Sequence, residues 1–165
     1  MKKVCVIVPA YNEGPVIAEV INVAKKSFSK NKRYNIDIVV INDGSKDSTA
    51  AEVKKTGTPV IDHILNSGAG GATLTGLSYA HQKGYDIVAT MDADGQHAPE
   101  DVLEGIRQLD KQKVDLLIGS RLIDSEGMSK TKVLGNKGLS FITKLLFGVN
   151  VTDSQSGLRI YSRAA

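Results

Sequence analysis

A chain of 165 residues with 41% hydrophobic and 24% charged side chains can close one hydrophobic core around one sheet, and this composition suggests neither disorder nor a fibrous repeat. The 21 Lys and Arg against 18 Asp and Glu leave a formal charge of +3 with dispersed basic residues, so no nucleic-acid partner is implied and a phosphate-bearing small molecule suffices. Cys5, the single cysteine, sits in an apolar run and reads as a small buried hydrophobe in a reducing compartment.

Lys3 is followed by five apolar residues before Pro9, too few for a signal-peptide core, and no run reaches the ~18 apolar residues of a membrane span. Val4 to Val8 reads as a buried strand ended by Pro9 and the polar Asn12-Glu13-Gly14. Pro15 suits the first turn of a helix on which Val16, Ile17, Val20, Ile21 and Ala24 repeat. The unit then recurs. Ile36 to Ile41 is strand-like, Asn42 to Ser48 is a loop, and Thr49 to Glu52 has capping-box spacing before a short helix stopped at Gly57 and Pro59. Val60 to Leu65 predicts a third strand. After the glycine-rich loop Asn66 to Ala72, Leu74, Leu77, Ala80 and His81 share one helix face ending at Gly84.

Ile87 to Met91 is the next strand, and Pro99 starts a helix carrying Val102, Leu103, Ile106 and Leu109. Val114 to Ile118 is a strand, a polar loop runs to Lys132, a helix spans about Asn136 to Phe147, and Leu158 to Tyr161 is a last short strand. This alternation predicts an α/β class: one domain over 1–165, with a mostly parallel sheet flanked by helices.

In open α/β sheets ligands bind beyond the carboxyl ends of the strands, so the residues after each apolar run carry the candidates. Asp92 and Asp94, two apart at a strand end, point to one side and can hold a divalent cation with Gln96 or His97 nearby. The alternative is that they solvate a loop and cap the helix near Pro99. Asp43, before Gly44-Ser45, can face a nucleobase or ribose or simply form an Asx turn. Tyr11 and Glu13 can supply a stacking ring and a ribose acceptor, or an exposed ring and a helix N-terminal charge.

The glycines of Asn66 to Ala72 lack the Gly-Lys-Ser/Thr of a P-loop and the third glycine of a dinucleotide fingerprint, and read as close packing near a donor or as a structural turn. Arg121 can reach a diphosphate with its forked donors, or stand exposed. In Asp153-Ser154-Gln155-Ser156-Gly157-Leu158-Arg159, Asp153 can act as a base and Arg159 can neutralise phosphate. His63, His81 and His97 are too scattered for a zinc site, and the first two read as structural or exposed.

Taken together, Val8 to Glu13, Asn42 to Asp47, Asn66 to Ala72, Asp92 to Glu100, Gly119-Ser120-Arg121 and Ser156 to Arg159 resemble the family-2 glycosyltransferases, in the branch with dolichol-phosphate mannose and glucose synthases. The stretches stand in the family's order over nearly the whole chain. The resemblance implies a Rossmann-like GT-A fold, a UDP- or GDP-linked sugar donor, Mg²⁺ or Mn²⁺, and inversion at the anomeric carbon. It implies that Pro9, Tyr11, Glu13, Ile41, Asp43 and Ala93 hold the nucleoside and that Asp92, Asp94 and Gln96 surround the metal. Arg121 and Arg159 would face the phosphates, with Arg159 on the donor and Asp92, Asp94, Arg121 and Asp153 as the catalytic set.

Two departures qualify the match. The family often has two aspartates where this chain has Asn42-Asp43, so only Asp43 takes the binding role. Lipid-phosphate members tend to carry an arginine where Lys130 and Lys132 stand, which leaves Lys132 as the acceptor-binding candidate without an arginine fork. The implied acceptor is a polyprenyl phosphate at a cytoplasmic membrane face. Peripheral contact would come through the 136–147 helix, whose apolar face ordinary core packing also explains. A glycan hydroxyl acceptor, a non-catalytic sugar-nucleotide-binding module and a nucleotidyltransferase are the alternatives. Family members extend past the Ser-Gly-x-Arg segment while this chain stops six residues after Arg159, so a C-terminally truncated catalytic domain is expected.

Overall fold

The computed structural model describes residues 1–119 and 157–165, and within them the chain runs β1 (Lys2–Ala10), α1 (Ile17–Phe28), β2 (Tyr34–Asn42), α2 (Thr49–Lys55), β3 (Val60–Asp62), α3 (Gly68–Gln82), β4 (Ile87–Thr90), α4 (Pro99–Gln112), β5 (Leu116–Ile118) and β6 (Arg159–Ser162). The sheet order is β3-β2-β1-β4-β6-β5. β3, β2, β1 and β4 pair in parallel, and β6 runs antiparallel between β4 and β5. The expected α/β architecture is therefore present, and the helix over 136–147 lies outside the described residues.

The apolar runs are continuous because both faces of the sheet are covered. On β1, Val4, Val6, Val8 and Ala10 face a core shared with Ile17, Ile21, Val53, Val102 and Ile106 of α1, α2 and α4. Cys5 and Ile7 alternate to the other face, against Val39, Ile41 and the Ala72 and Ala80 side of α3. Each fully buried Val or Ile contributes about 2 kcal/mol of transfer free energy.

Pro9 does not end β1. It pairs with Ile41 inside the ladder. The Ile7 carbonyl accepts from Met91 N–H and the Ala10 carbonyl from Asp43 N–H, so by alternation the proline nitrogen points to the β4 side, past the last β1–β4 pair at Ile7 and Thr90. No ladder donor is lost there.

Three further expectations about element ends are corrected. Pro15 sits in a turn before α1, whose first residue is Ile17. The capping box at Thr49 does not form: Ser48 is the N-cap and makes no side-chain cap. The Thr49 hydroxyl instead bonds Asp47 and accepts from Glu13 N–H at 2.9 Å. β3 stops at Asp62, leaving Ile64 97% and Leu65 78% exposed.

The segment 68–72 is not a loop but the opening of α3, which buries Ala72, Gly76 and Ala80 rather than Leu74 and His81. These small residues at i, i+4 and i+8 let the helix lie close on β1, because a Cβ on Gly76 would collide with the Ile7 side chain. α3 ends as expected, with Gly84 at φ +73 and Tyr85 N–H bonding Ala80 O at 3.1 Å.

Gly76→Leu should cost roughly 3 kcal/mol through overpacking against Ile7. Gly70→Ala, with nothing within 4 Å of the added Cβ, should stabilise by about 0.5–1 kcal/mol through lost unfolded-chain freedom. Urea midpoints of the two variants check both signs.

Candidate functional site

The strand order reverses at β1. β2 and β3 lie on one side of it and β4 on the other, which opens a crevice above the carboxyl ends of β1 and β4. Pro9, Asp92, Asp94, Gln96 and Arg159 line one open cleft there of about 830 Å³, with Ala69, Gly70 and Thr73 of α3 on a wall. The first turn of α3 holds no acidic residue. Its amides therefore present the positive end of the helix dipole to the same space as Arg159, an arrangement able to receive an anion.

β4 ends at Thr90, so strand alternation is not what brings Asp92 and Asp94 together. The turn does it: Gly95 has φ +79, and Gln96 N–H bonds Asp94 Oδ1 at 2.9 Å. From below, the Thr90 hydroxyl donates to Gly157 O at 2.5 Å and accepts from Arg159 N–H at 3.0 Å, tying the 157–159 backbone to β4. Gly157 is pressed on Asp92 so closely that a Cβ would overlap the carboxylate. His97, one of the two residues expected to help hold a cation, is buried and does not line the cleft; its Nδ1 lies 3.1 Å from Asp92 Oδ2.

The all-oxygen set of Asp92, Asp94 and Gln96 fits a hard divalent cation that takes its other ligands from a diphosphate. Among the described residues no three His, Cys, Asp or Glu side chains form a self-sufficient metal cluster. Glu13 belongs to the same acidic field: partial burial, then the Asp94 and Asp47 carboxylates, raise its pKa. A bound cation would relieve that repulsion.

Asp43 lies deeper, at 3% exposure. Its Oδ1 accepts from Ser67 N–H (2.9 Å), the Ser67 hydroxyl (2.7 Å) and His63 Nδ1 (2.7 Å). Burial alone would raise its pKa, but the bonds from Ser67, His63 and Gly68 outweigh it and hold the carboxyl below its usual range. His63, expected to be structural or exposed, uses its other nitrogen on Thr75 of α3 at 2.9 Å. His63, Ser67 and Thr75 thus form a network that fixes Asp43, with His63 in the structural role expected of it and the network itself not foreseen from the sequence. Ser67 had one local signal, its place just before the helical glycines; His63 and Thr75 had none, since His63 meets Asp43, and Thr75 meets His63, only through tertiary packing.

Gly44 at φ +71 is required beside them, because a Cβ would lie 2.8 Å from Asn66 N. Asn42 explains its departure from a second aspartate. Its amide donates to Asp62 Oδ1 at 2.8 Å, where a carboxylate would meet a carboxylate.

The loops after β1 and β2 are laced together: Asn12 N–H to Ser45 Oγ (2.9 Å), Lys46 N–H to Asn12 Oδ1 (2.9 Å) and Gly14 N–H to Asp47 Oδ2 (2.9 Å). This places Tyr11 exposed at the rim and Glu13 half-buried. The Ile41 side chain is fully buried and Ala93 nearly so, which leaves their main chains as the parts able to face a ligand. Arg121, Lys132 and Asp153 lie outside the described residues. Among those residues no helix is long and apolar enough to cross a membrane.

A family model for glycosyl transferase family 2 matches residues 5–165. The chain belongs to that family. It is 40% identical to the UDP-N-acetylglucosamine–dolichyl-phosphate N-acetylglucosaminyltransferase of Methanococcus voltae, covering 99% of this chain and 71% of that protein. It is 30% identical to the undecaprenyl-phosphate mannosyltransferase of Micrococcus luteus, over 96% of this chain and 66% of that one. Glucosyl-3-phosphoglycerate synthase of Mycobacterium tuberculosis, crystallised with Mn²⁺, UDP and glucosyl-3-phosphoglycerate, superposes with a TM-score of 0.69 at 21% identity, over 99% of this family-2 chain and 57% of its own. The fold is GT-A, and the chain spans little more than half of that structure and about two thirds of the Micrococcus relative.

Two substitutions test the geometry. The depressed Asp43 pKa contributes stability that is present above the unfolded value near pH 4 and is lost as pH falls through the folded value. Asp43→Asn should therefore lose about 2 kcal/mol at pH 7, with the gap to the native protein narrowing below about pH 4 in urea titrations from pH 7 to 3. Gly157→Ala should leave the melting temperature within a few degrees while displacing Asp92, weakening Mn²⁺ binding about 10-fold by calorimetry.

Proposed function

We propose that the chain is the donor-binding and catalytic part of an inverting, cation-dependent glycosyltransferase. It moves a hexose, in the broad sense that includes an N-acetylhexosamine, from a UDP- or GDP-linked donor to a polyprenyl (dolichyl) phosphate at the cytoplasmic face of a membrane. The observation that carries this reading is the convergence of Asp92, Asp94, Gln96 and Arg159 on one cleft beside the first turn of α3. The lipid-phosphate acceptor is supported by the names of the relatives.

In this reading Asp43 and the 9–13 segment, with the main chain at Ile41 and Ala93, hold the nucleoside. Asp92, Asp94 and Gln96 would hold Mg²⁺ or Mn²⁺, which when bound offsets the charge developing on the diphosphate leaving group. Arg159 and Arg121 neutralise the phosphates, and Lys132 meets the acceptor headgroup.

The acceptor phosphate oxygen attacks the anomeric carbon from the face opposite the diphosphate. The carbon–oxygen bond breaks, its electron pair departs with the nucleoside diphosphate, and the configuration inverts. A phosphate monoester is already ionised near neutrality, so no proton has to be removed; Asp153 becomes a base only for a hydroxyl acceptor.

UDP and GDP titrated calorimetrically with and without Mn²⁺ test the reading. One nucleotide should bind in a Mn²⁺-dependent way, and Asp94→Ala should weaken it at least about 10-fold. Folded protein that binds neither nucleotide overturns it.

A further inference from the structure

β6 enters the sheet beside β4, and a side chain makes the junction. The ladder between the two strands runs from the pair Ile87–Ser162 to the pair Ala89–Ile160. One step further the same register brings Thr90 opposite Arg159, and there the Thr90 hydroxyl stands in for a main-chain partner. It donates to Gly157 O at 2.5 Å, accepts from Arg159 N–H at 3.0 Å and lies 3.3 Å from Arg159 O. Thr90 is buried and forms part of the floor of the cleft.

The register at this junction decides where Arg159 points. Ile160 is fully buried in the core shared with α1 and α4, so by strand alternation Arg159 and Tyr161 lie on the opposite face, where both line the cleft with Asp92 and Asp94. A slip of one residue between β4 and β6 would turn Arg159 into that core and Ile160 out of it. The other edge of β6 is tied to β5, through the pair Ile118–Arg159 and the bond from Gly119 N–H to Leu158 O at 2.9 Å. Those bonds set β6 against β5, not against the strand that leads into Asp92 and Asp94.

We propose that Thr90 is a positioning residue: its hydroxyl pins the start of β6 to the end of β4 and so sets the place from which Arg159 meets the diphosphate of the donor. The inference rests on the reading of this cleft as the donor site. A binding side chain is only as well placed as the groups that hold its backbone, and here one hydroxyl holds two of them. A threonine that served packing alone would need its methyl group and its branched shape, both of which valine keeps.

Two variants separate these roles. Thr90→Val keeps the shape without the hydroxyl, and Thr90→Ser keeps the hydroxyl without the methyl. UDP and GDP are titrated calorimetrically in the presence of Mn²⁺, and the nucleotide that the native protein binds is the probe. Its affinity should fall about 10-fold in Thr90→Val, the worth of about one hydrogen bond to a charged group, and stay within about threefold of native in Thr90→Ser. In Arg159→Ala protein the further change Thr90→Val should cost less than about twofold, because the side chain whose place it sets is gone.

Native nucleotide affinity in folded Thr90→Val overturns the proposal and leaves the donor site standing. Equal losses in Thr90→Val and Thr90→Ser that follow their melting temperatures assign Thr90 to packing and overturn it as well, and so does an undiminished loss in the Arg159→Ala background. If Thr90→Val does not fold, Thr90→Ala against Thr90→Ser, which differ by the hydroxyl alone, decides in the same way. A native protein that binds neither nucleotide removes the donor site and the Thr90 role together, whereas a loss that follows the hydroxyl and vanishes with Arg159 upholds both.

Discussion

The placement of β1 between β2 and β4, buried on both faces, is the constraint from which the site follows. The chain leaves β2 toward one edge of the sheet and β4 toward the other, so the connections diverge above the end of β1 and cannot fill the space between them. The first polar residues after β1, β2 and β4 therefore meet around one opening. The first turns of α3 form a wall of that opening, and Gly76, with no side chain to hold Ile7 away, permits the close approach of α3 to β1.

Around the opening, polar groups do two different jobs. Ser45, Asp47 and Thr49 bond backbone N–H groups of the 12–14 segment and fix two loops into one rigid rim. Asp43 is fixed in turn by Ser67 and by His63, whose ring spans to Thr75. Such a saturated network holds a buried carboxylate charged, because each donor offsets part of the cost of removing it from water. Nearer the cleft, partial burial and then the Asp94 and Asp47 carboxylates raise the pKa of Glu13, a local repulsion that a cation at the Asp92–Asp94 pair would lower.

Much of this was legible in the chain itself. The runs Val4 to Val8, Ile36 to Ile41 and Ile87 to Met91 marked three parallel strands, since a strand covered on both faces is apolar nearly throughout, broken here only by Asp37 and Thr90. Asp43, Asp92 and Asp94 were legible by standing just past those runs. The start of α3 was not legible, because glycines favour loops by propensity and become helical here only through packing on the sheet. The face of α3 was misread for a related reason: Leu74 and Leu77 carry the hydrophobicity, but the closest approach to Ile7 admits only small residues.

The sequence by itself determined the order of the described elements and the α/β class, because periodicity and turn chemistry are local properties of the chain, and its short motifs carried the resemblance to the family. Tertiary structure alone decided which polar groups share a site. The Asp43–His63–Thr75 bridge, the His97–Asp92 contact and the pressure of Gly157 on Asp92 join residues separated by 20, 12, 5 and 65 positions. The physical reason is that hydrogen bonds and steric contacts act over a few ångströms in space, and nothing in the spacing of those residues along the chain reports that distance.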